Sequence, residues 1–405
     1  MKKPANNFQV PQKLQACFSK ELQAKLLSLR WDLHQHPELA FQEHRTAQKL
    51  YQALASVRPA ELDRVAGTGV VARIKGANAS APTVAVRGDM DALPIQEATG
   101  LEYASLNAGV MHACGHDVHG TWTVGAAHLL AQRPAHGDVL IVLQPAEEIG
   151  KGAQAILETG ALDDMAAIFA AHVDRRFAVG QVVAQEGPVA ASADTFEIEL
   201  LGQGAHGARP HESADPIVGA AALVNALQTI VSRRLNPASP AVVTVGTVNA
   251  GSAPNIIPER ATLSGTVRAV DSTTRRLLQE EVRRIAEATA ALHRLQAKVK
   301  IEEGTPPIVN KAGPVSWARR AVTALLGEQA LVPLGFLNLG GEDFAFYSEK
   351  TPGCFLRIGA RELGGAIVPA HSPAFYAADG SLFIGAAVLA QTARVASAAL
   401  AGEKA

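Results

Sequence analysis

Apolar positions change their spacing along the chain in a way that lays out its elements. Between residues 19 and 30, Leu22, Leu26, Leu27 and Leu29 fall near one side of a 3.6-residue repeat, which predicts a helix that Pro37 must end or interrupt. A second helix is predicted over 43–54. Residues 65–74, broken by Gly67 and Gly69, read as a hairpin. Short apolar strands are predicted at 83–87, 138–143 and 165–171, with helices at 120–132 and 153–159. Nearly continuous apolar runs of this length suit a sheet covered on both faces.

The pattern changes near Glu186-Gly187-Pro188. Residues 195–201 alternate Phe196, Ile198 and Leu200 with Glu197 and Glu199, a half-buried strand. Asp215-Pro216 opens a helix, aspartate as N-cap and proline in the first turn, that runs to about Arg234. Strands follow at 242–248 and 262–270. Asp271-Ser272 caps a helix to 292, and a last strand covers 297–302. The order β-α-β-β-α-β is the ferredoxin-like split unit. Helices at 315–326 and 381–400 and a strand at 353–359 then resume the first pattern. The predicted fold is α/β: a central mixed sheet flanked by helices over 1–187 and 304–405, with a ferredoxin-like α+β domain inserted at 188–303. That insert reads as a lid or dimerisation domain, because an exposed edge strand or helix face can pair two copies.

Composition narrows the class. A chain of 405 residues points to about two or three domains. With 48% hydrophobic and 19% charged residues it reads as a soluble globular protein. The net charge of −1 gives no basic footprint for nucleic acid. Cys17, Cys114 and Cys354, odd in number and far apart, are not a disulfide framework, and a reducing cytoplasmic location is expected. Met1-Lys2-Lys3-Pro4-Ala5-Asn6-Asn7 is basic without a following apolar run, so no signal peptide is expected, and no uninterrupted membrane-spanning run is expected either.

The candidate chemistry centres on Met111-His112-Ala113-Cys114-Gly115-His116-Asp117-Val118-His119, rich in the side chains that bind borderline metals. Taken alone, the stretch is equally a buried cysteine beside solvated histidines. Asp89 and Asp91 follow one apolar strand, where a capped turn is the plain alternative. Glu147 and Glu148 end the next, where adjacent carboxylates are costly unless a cation sits with them. His172 ends a third. Three successive strands therefore deliver Asp91, Glu147/Glu148 and His172 to one sheet edge, which favours a metal site. His34 and His36 read as surface histidines around a helix end, and His371 by itself as an ordinary loop histidine.

Taken together, these stretches resemble the M20 metallopeptidase clan, and within it the amidohydrolase branch of hippurate hydrolases, N-acyl-amino-acid amidohydrolases and auxin-conjugate hydrolases. The match runs from about Leu29 to Leu389. Its motifs are Leu33-His34-Gln35-His36-Pro37-Glu38-Leu39, Arg87-Gly88-Asp89-Met90-Asp91-Ala92-Leu93-Pro94, the Met111 to His119 stretch, Gln144-Pro145-Ala146-Glu147-Glu148, Gly207-Ala208-Arg209-Pro210-His211, Ala253-Pro254-Asn255-Ile256-Ile257-Pro258 and Gly341-Glu342-Asp343-Phe344. The resemblance implies two divalent metal ions per subunit, Mn2+ or Zn2+ with Co2+ and Ni2+ as alternatives, held by Cys114, His116, Glu148, His172 and His371. It implies Glu147 as general acid/base acting on a metal-activated water, and Asp91 as the residue that orients a ligand. His112, Asp117 and His119 are then supporting or helix-start residues. Glu147 and Glu148, adjacent at a strand end, are expected to point apart, one as base and one as ligand. In the inserted domain it implies that His206, in Gly204-Ala205-His206-Gly207, reaches the partner subunit's site, and that Asn255 and Arg268 grip the substrate carboxylate. Without the resemblance, His206 is a turn histidine and Arg268 a strand-end arginine.

The implied activity is hydrolysis of the amide bond of N-acyl amino acids by a homodimer, or a dimer of dimers, paired through the insert. A metallo-dipeptidase or carboxypeptidase of the same clan is the alternative. A cysteine hydrolase using Cys114 leaves the convergence of Glu147, Glu148, His172 and His371 unexplained. A silent assembly module is disfavoured because every implied ligand and the base are present. Small departures precede His371: Ala370 stands where a larger apolar residue is usual, and Gly364-Gly365-Ala366-Ile367-Val368 is short.

Overall fold

The computed structural model describes residues 12–337 and 339–402, so the basic N-terminal stretch 1–7 lies outside the described residues. Contacts divide the chain into two compact units: Met1–Gly187, Asn310–Gly335 and Phe346–Ala405 form the first, and Pro188–Val309 with Phe336–Ala345 the second.

In chain order, α1 (Gln12–Gln15) and α2 (Lys20–Gln35) come first. The Ser19 hydroxyl accepts a hydrogen bond from the Leu22 N–H at 3.1 Å, a side-chain N-cap. α2 outruns the predicted end at Arg30 and stops before Pro37. α3 (His44–Ala55) leads to the hairpin β1 (Glu61–Val65) and β2 (Gly69–Ile74), then β3 (Thr83–Asp89), α4 (His116–Gln132), β4 (Val139–Gln144), α5 (Gly152–Glu158), β5 (Met165–Ala178) and β6 (Val182–Val183). The short β7 (Gly187–Ala190) precedes β8 (Ala193–Leu201), β9 (Ala205–His206), α6 (Pro216–Thr229), β10 (Ala241–Ala250), β11 (Ile256–Ile257), β12 (Arg260–Ala269), α7 (Ser272–Leu292) and β13 (Gln296–Thr305). β14 (Ile308–Asn310), α8 (Ala312–Leu326), α9 (Phe344–Lys350), β15 (Gly353–Arg361) and α10 (Asp379–Leu400) complete the chain.

The first unit holds a seven-stranded sheet in the order β1-β2-β4-β3-β5-β15-β6. β4, β3, β5 and β15 run parallel, with antiparallel β2 and β6 beside them, so the sheet is mixed. β3 and β4 are buried along their whole length, as their continuous apolar runs require. α10 is long and apolar enough to cross a membrane by composition, contrary to expectation, but 78% of its apolar window is buried in the structure. It is a core helix, with Phe383 edge-on to Phe18 at 5.2 Å.

The second unit is built on the antiparallel sheet β10-β12-β8-β13, the ferredoxin-like arrangement. Phe196, Ile198 and Leu200 of β8 pack with Leu223 and Leu227 of α6 and Leu278 and Val282 of α7. The predicted boundary at 304 differs from the observed one because β13 stays paired to β8 as far as Thr305↔Ala193. Residues 336–345 also group with this unit, where Ala191 N–H donates to the Gly340 carbonyl. α6 ends as an α-helix at Thr229 and continues as a π-turn to Arg234.

A buried ionic network joins α2 to the start of α4. Arg30 donates to Asp117 at 3.2 Å and to the Ala377 carbonyl at 2.6 Å, and also pairs with Asp379. His34 is not a surface histidine: it is 1% exposed, with Nδ1 at 2.9 Å from Asp117 and Nε2 at 3.4 Å from Glu97. The helix carries it past Arg30 into the core, where both ring nitrogens find carboxylates. Burial opposes its charge, but Asp117 and Glu97 outweigh burial and raise it to about 9. A raised histidine contributes stability that is complete below its unfolded value of about 6.5 and is lost as pH rises through the folded value. Denaturation midpoints are therefore expected to fall between about pH 6.5 and 9, and His34→Gln should flatten that slope.

Candidate metal centre

The centre is assembled in the first unit from five segments that meet on the carboxyl-terminal side of the parallel strands. Cys114 precedes α4 and His116 is its first residue. Gly115 between them has φ +89°, and a Cβ there would stand 2.4 Å from Val173 Cγ2. Gly115→Ala is therefore expected to cost about 1–3 kcal/mol in stability, read as a lowered melting temperature. Asp91 lies two residues past β3. Glu147 and Glu148 follow β4 across Ala146, whose φ of +54° is unusual for a residue with a side chain. That turn is held from both sides. Ala146 N–H donates to Glu43 Oε1 at 2.9 Å, and its carbonyl accepts from Lys151 and Gly152 at 3.2 and 3.1 Å. His172 sits inside β5 rather than at its end, because pairing with β15 extends that strand to Ala178. His371, also at positive φ (+64°), is tied by its N–H to the Ala113 carbonyl at 2.8 Å.

Hydrogen bonds show which ring nitrogen of each imidazole is already engaged. His116 Nδ1 is 3.2 Å from Asp91 Oδ1, which leaves Nε2 directed at Asp89 (3.7 Å), Glu147 (3.8 Å) and Glu148 (3.8 Å). His172 Nδ1 donates to the Val173 carbonyl at 2.7 Å, so Nε2, 3.2 Å from Cys114 Sγ, keeps its lone pair. His119 uses both nitrogens, since Nε2 accepts from Val173 N–H at 3.0 Å and Nδ1 is 2.6 Å from Asp89. It has no lone pair left for a metal. His371 Nε2 lies 3.5 Å from Glu148 Oε2. Asp91 holds more than one ligand: its two oxygens also accept from the Glu147 and Glu148 N–H groups at 3.1 and 2.9 Å.

These donors form overlapping sets whose atoms all lie within 4.8 Å of one another: Cys114/His116/His172, Cys114/Glu148/His371 and His116/Glu147/Glu148. Cys114 belongs to the first two. Among the described residues, His116 Nε2 and Glu148 Oε1 are buried without a hydrogen-bond partner. Burial, reinforced by Glu148, pushes the Cys114 thiol up, and burial raises Glu148 to about 7. Burial works against a charged His116, yet Asp89 and Asp91 prevail and raise it. Anionic donors are thus penalised here until a cation arrives, and lone pairs are aimed where it would sit. The donor set fits divalent metal.

The structure thus brings Cys114, His116, Glu147, Glu148, His172, His371 and Asp91 together. It corrects one expectation, because Glu147 and Glu148 do not point apart. The left-handed turn at Ala146 breaks the strand alternation and leaves both carboxylates at 3.8 Å from His116 Nε2. Nothing in the sequence marks Ala146 for that conformation, nor Glu43 as its anchor. In the second unit, His206 is exposed on β9 and shares a groove with Asn255. Its Nδ1 accepts from Ala208 N–H at 3.1 Å, which places the proton on Nε2. Arg268 lies elsewhere in that unit, on β12 opposite Val242, and does not line the groove.

The profile of peptidase family M20/M25/M40 matches residues 85–395. The chain is 40% identical over 377 residues to N-acetylcysteine deacetylase of Bacillus subtilis (strain 168), covering 92% of this chain and 97% of the relative. It is 37% identical over 374 residues to IAA-amino acid hydrolase ILR1-like 2 of Arabidopsis thaliana, covering 91% and 84%. Among solved structures it resembles the Bacillus subtilis YXEP protein, described as a dinuclear metal binding peptidase of the M20 family. That match has a TM-score of 0.83 and 37% identity, over 93% of this chain and 99% of that one.

Proposed function

The chain belongs to the peptidase family M20/M25/M40, and from that premise we propose that it hydrolyses the amide bond of N-acyl amino acids at a binuclear centre held by Cys114, His116, Glu148, His172 and His371. The observation that carries this reading is the pair of donor sets sharing Cys114, with the buried, unpartnered His116 Nε2 and Glu148 Oε1 aimed among them. When bound, the ions lower the pKa of a coordinated water and polarise the scissile carbonyl.

The protein's own groups do the remaining work. Asp91 orients His116 and fixes the Glu147-Glu148 backbone, so Glu148 is placed to ligate while Glu147 serves as the acid/base. Glu147 takes the proton of the attacking water and delivers it to the departing amine nitrogen. His119, through Asp89 and the Val173 peptide, keeps the strand bearing His172 in place. His206, with its proton on Nε2, is a donor suited to an oxyanion, and Asn255 and Arg268 are the proposed grips for the substrate carboxylate. Thiolate and imidazole suit zinc, and the carboxylates also suit manganese. Three free cysteines favour a reducing, cytoplasmic location.

Reconstitution with Mn2+, Zn2+, Co2+ and Ni2+, followed by a screen of N-acetyl amino acids, N-benzoyl amino acids and dipeptides, tests the substrate class. Faster turnover of the N-acyl amino acids is expected, and preference for dipeptides would favour the dipeptidase or carboxypeptidase reading.

A homodimer through the second unit is also proposed. Of its two sheet edges, β13 carries Lys298, Lys300 and Glu302, charges that discourage strand pairing. β10 carries none, and its Val248 is 50% exposed. Mixing Glu147→Ala with His206→Ala subunits should restore activity if His206 serves the partner's site. Mixed dimers that stay inactive would place His206 outside the partner's site.

A further inference from the structure

Arg357 stands next to the centre and has no part in the chemistry described so far. Strands β5 and β15 are parallel, and Arg357 pairs with His172 in their register. Paired residues of neighbouring strands project from the same face, as do residues two apart on one strand. Arg357, Phe355 and His172 therefore share a face, and the ring contacts agree. The Phe355 centroid is 6.4 Å from that of His172 and 5.0 Å from the Arg357 guanidinium carbon. Phe355 is buried, whereas Arg357 is only half-buried. The aromatic ring thus forms a fixed wall on which the guanidinium rests, a favourable cation–π placement.

This position is costly for a metal centre. A guanidinium cannot shed its proton to relieve the repulsion of a nearby divalent ion. The cost is offset when an anion comes to the same place, and a planar fork of N–H donors is the group best matched to a carboxylate. We propose that Arg357 is a specificity-determining residue that binds a carboxylate of the substrate beside His172. Resting on the hydrolase reading above, this narrows the substrate class to acyl amino acids with a carboxylate within reach of the reacting amide. That carboxylate is either the α-carboxylate of the amino acid, which Arg357 then shares with the proposed grips Asn255 and Arg268, or a second one on a dicarboxylic acyl group.

The test uses full-length, metal-loaded protein carrying Glu147→Gln, so that ligands bind without turnover. Calorimetry compares N-acetylalanine, its carboxamide and N-succinylalanine with Arg357 intact, with Arg357→Met and with Arg357→Lys. Methionine keeps the apolar contact with Phe355 and drops the charge. Loss of a charged hydrogen-bonding partner should weaken carboxylate binding roughly ten- to hundredfold. Binding of the carboxamide and the metal content should stay unchanged, and lysine should be intermediate. Weakening of N-acetylalanine identifies the α-carboxylate, and weakening of N-succinylalanine alone identifies the acyl carboxylate. No change with either acid, or equal weakening of acid and carboxamide, would overturn the proposal. If these ligands bind in an Arg357-dependent way while protein with Glu147 intact hydrolyses none of them, the hydrolase reading fails and the carboxylate site stands.

Discussion

Replacing Glu147 with alanine is expected to abolish measurable turnover, by at least about 10²–10⁴-fold, while both metal ions remain bound. The two donor sets that share Cys114 do not include Glu147, so its loss leaves each of them whole. The backbone N–H of residue 147 survives the substitution, so Asp91 still anchors the turn and holds Glu148 in place. What disappears is the carboxylate, 3.8 Å from His116 Nε2, proposed to move a proton from water to the leaving amine. The measurement pairs kcat with metal content by elemental analysis. Retained turnover would remove the acid/base assignment, and loss of metal would make Glu147 a ligand.

Cys114→Ala should have the largest effect on the centre itself. The thiol belongs to both donor sets, so its removal weakens both at once. A complete structural zinc site is worth about 10–16 kcal/mol, so loss of one shared donor should cost on the order of 10²-fold or more in affinity at each position. Metal content is expected to fall below one ion per subunit, with activity lost, and Cys114→Ser should recover part of both. A nucleophilic cysteine predicts the opposite pattern: metal retained at full content in Cys114→Ala, and iodoacetamide inactivating the holoprotein without releasing metal.

The sequence reveals those parts of the site that follow from periodicity and side-chain chemistry. Continuous apolar runs end next to Asp91 and Glu147, and the spacing of Cys114 and His116 around the start of α4 is plain in the chain. The insert is equally readable, because Phe196, Ile198 and Leu200 alternate and Asp215-Pro216 caps its helix. The missing parts depend on long-range contacts. His34 looks like a helix-end residue until the fold brings Asp117 and Glu97 to its two nitrogens, 83 and 63 residues away in sequence. Ala146 adopts a left-handed conformation that alanine does not advertise, and only that turn explains why Glu147 and Glu148 converge rather than diverge. Arg357 becomes informative only through the register that sets it beside His172. His371 needs the Ala113 carbonyl to bring its loop to the centre.

The most direct measurement is activity on N-acyl amino acids across a cycle of chelation and metal add-back, with metal content determined at each stage. Two divalent ions per subunit in the active protein, activity lost as they are removed, and activity restored as the second ion returns are the predicted results. Undiminished turnover by protein shown to be free of metal would contradict the account.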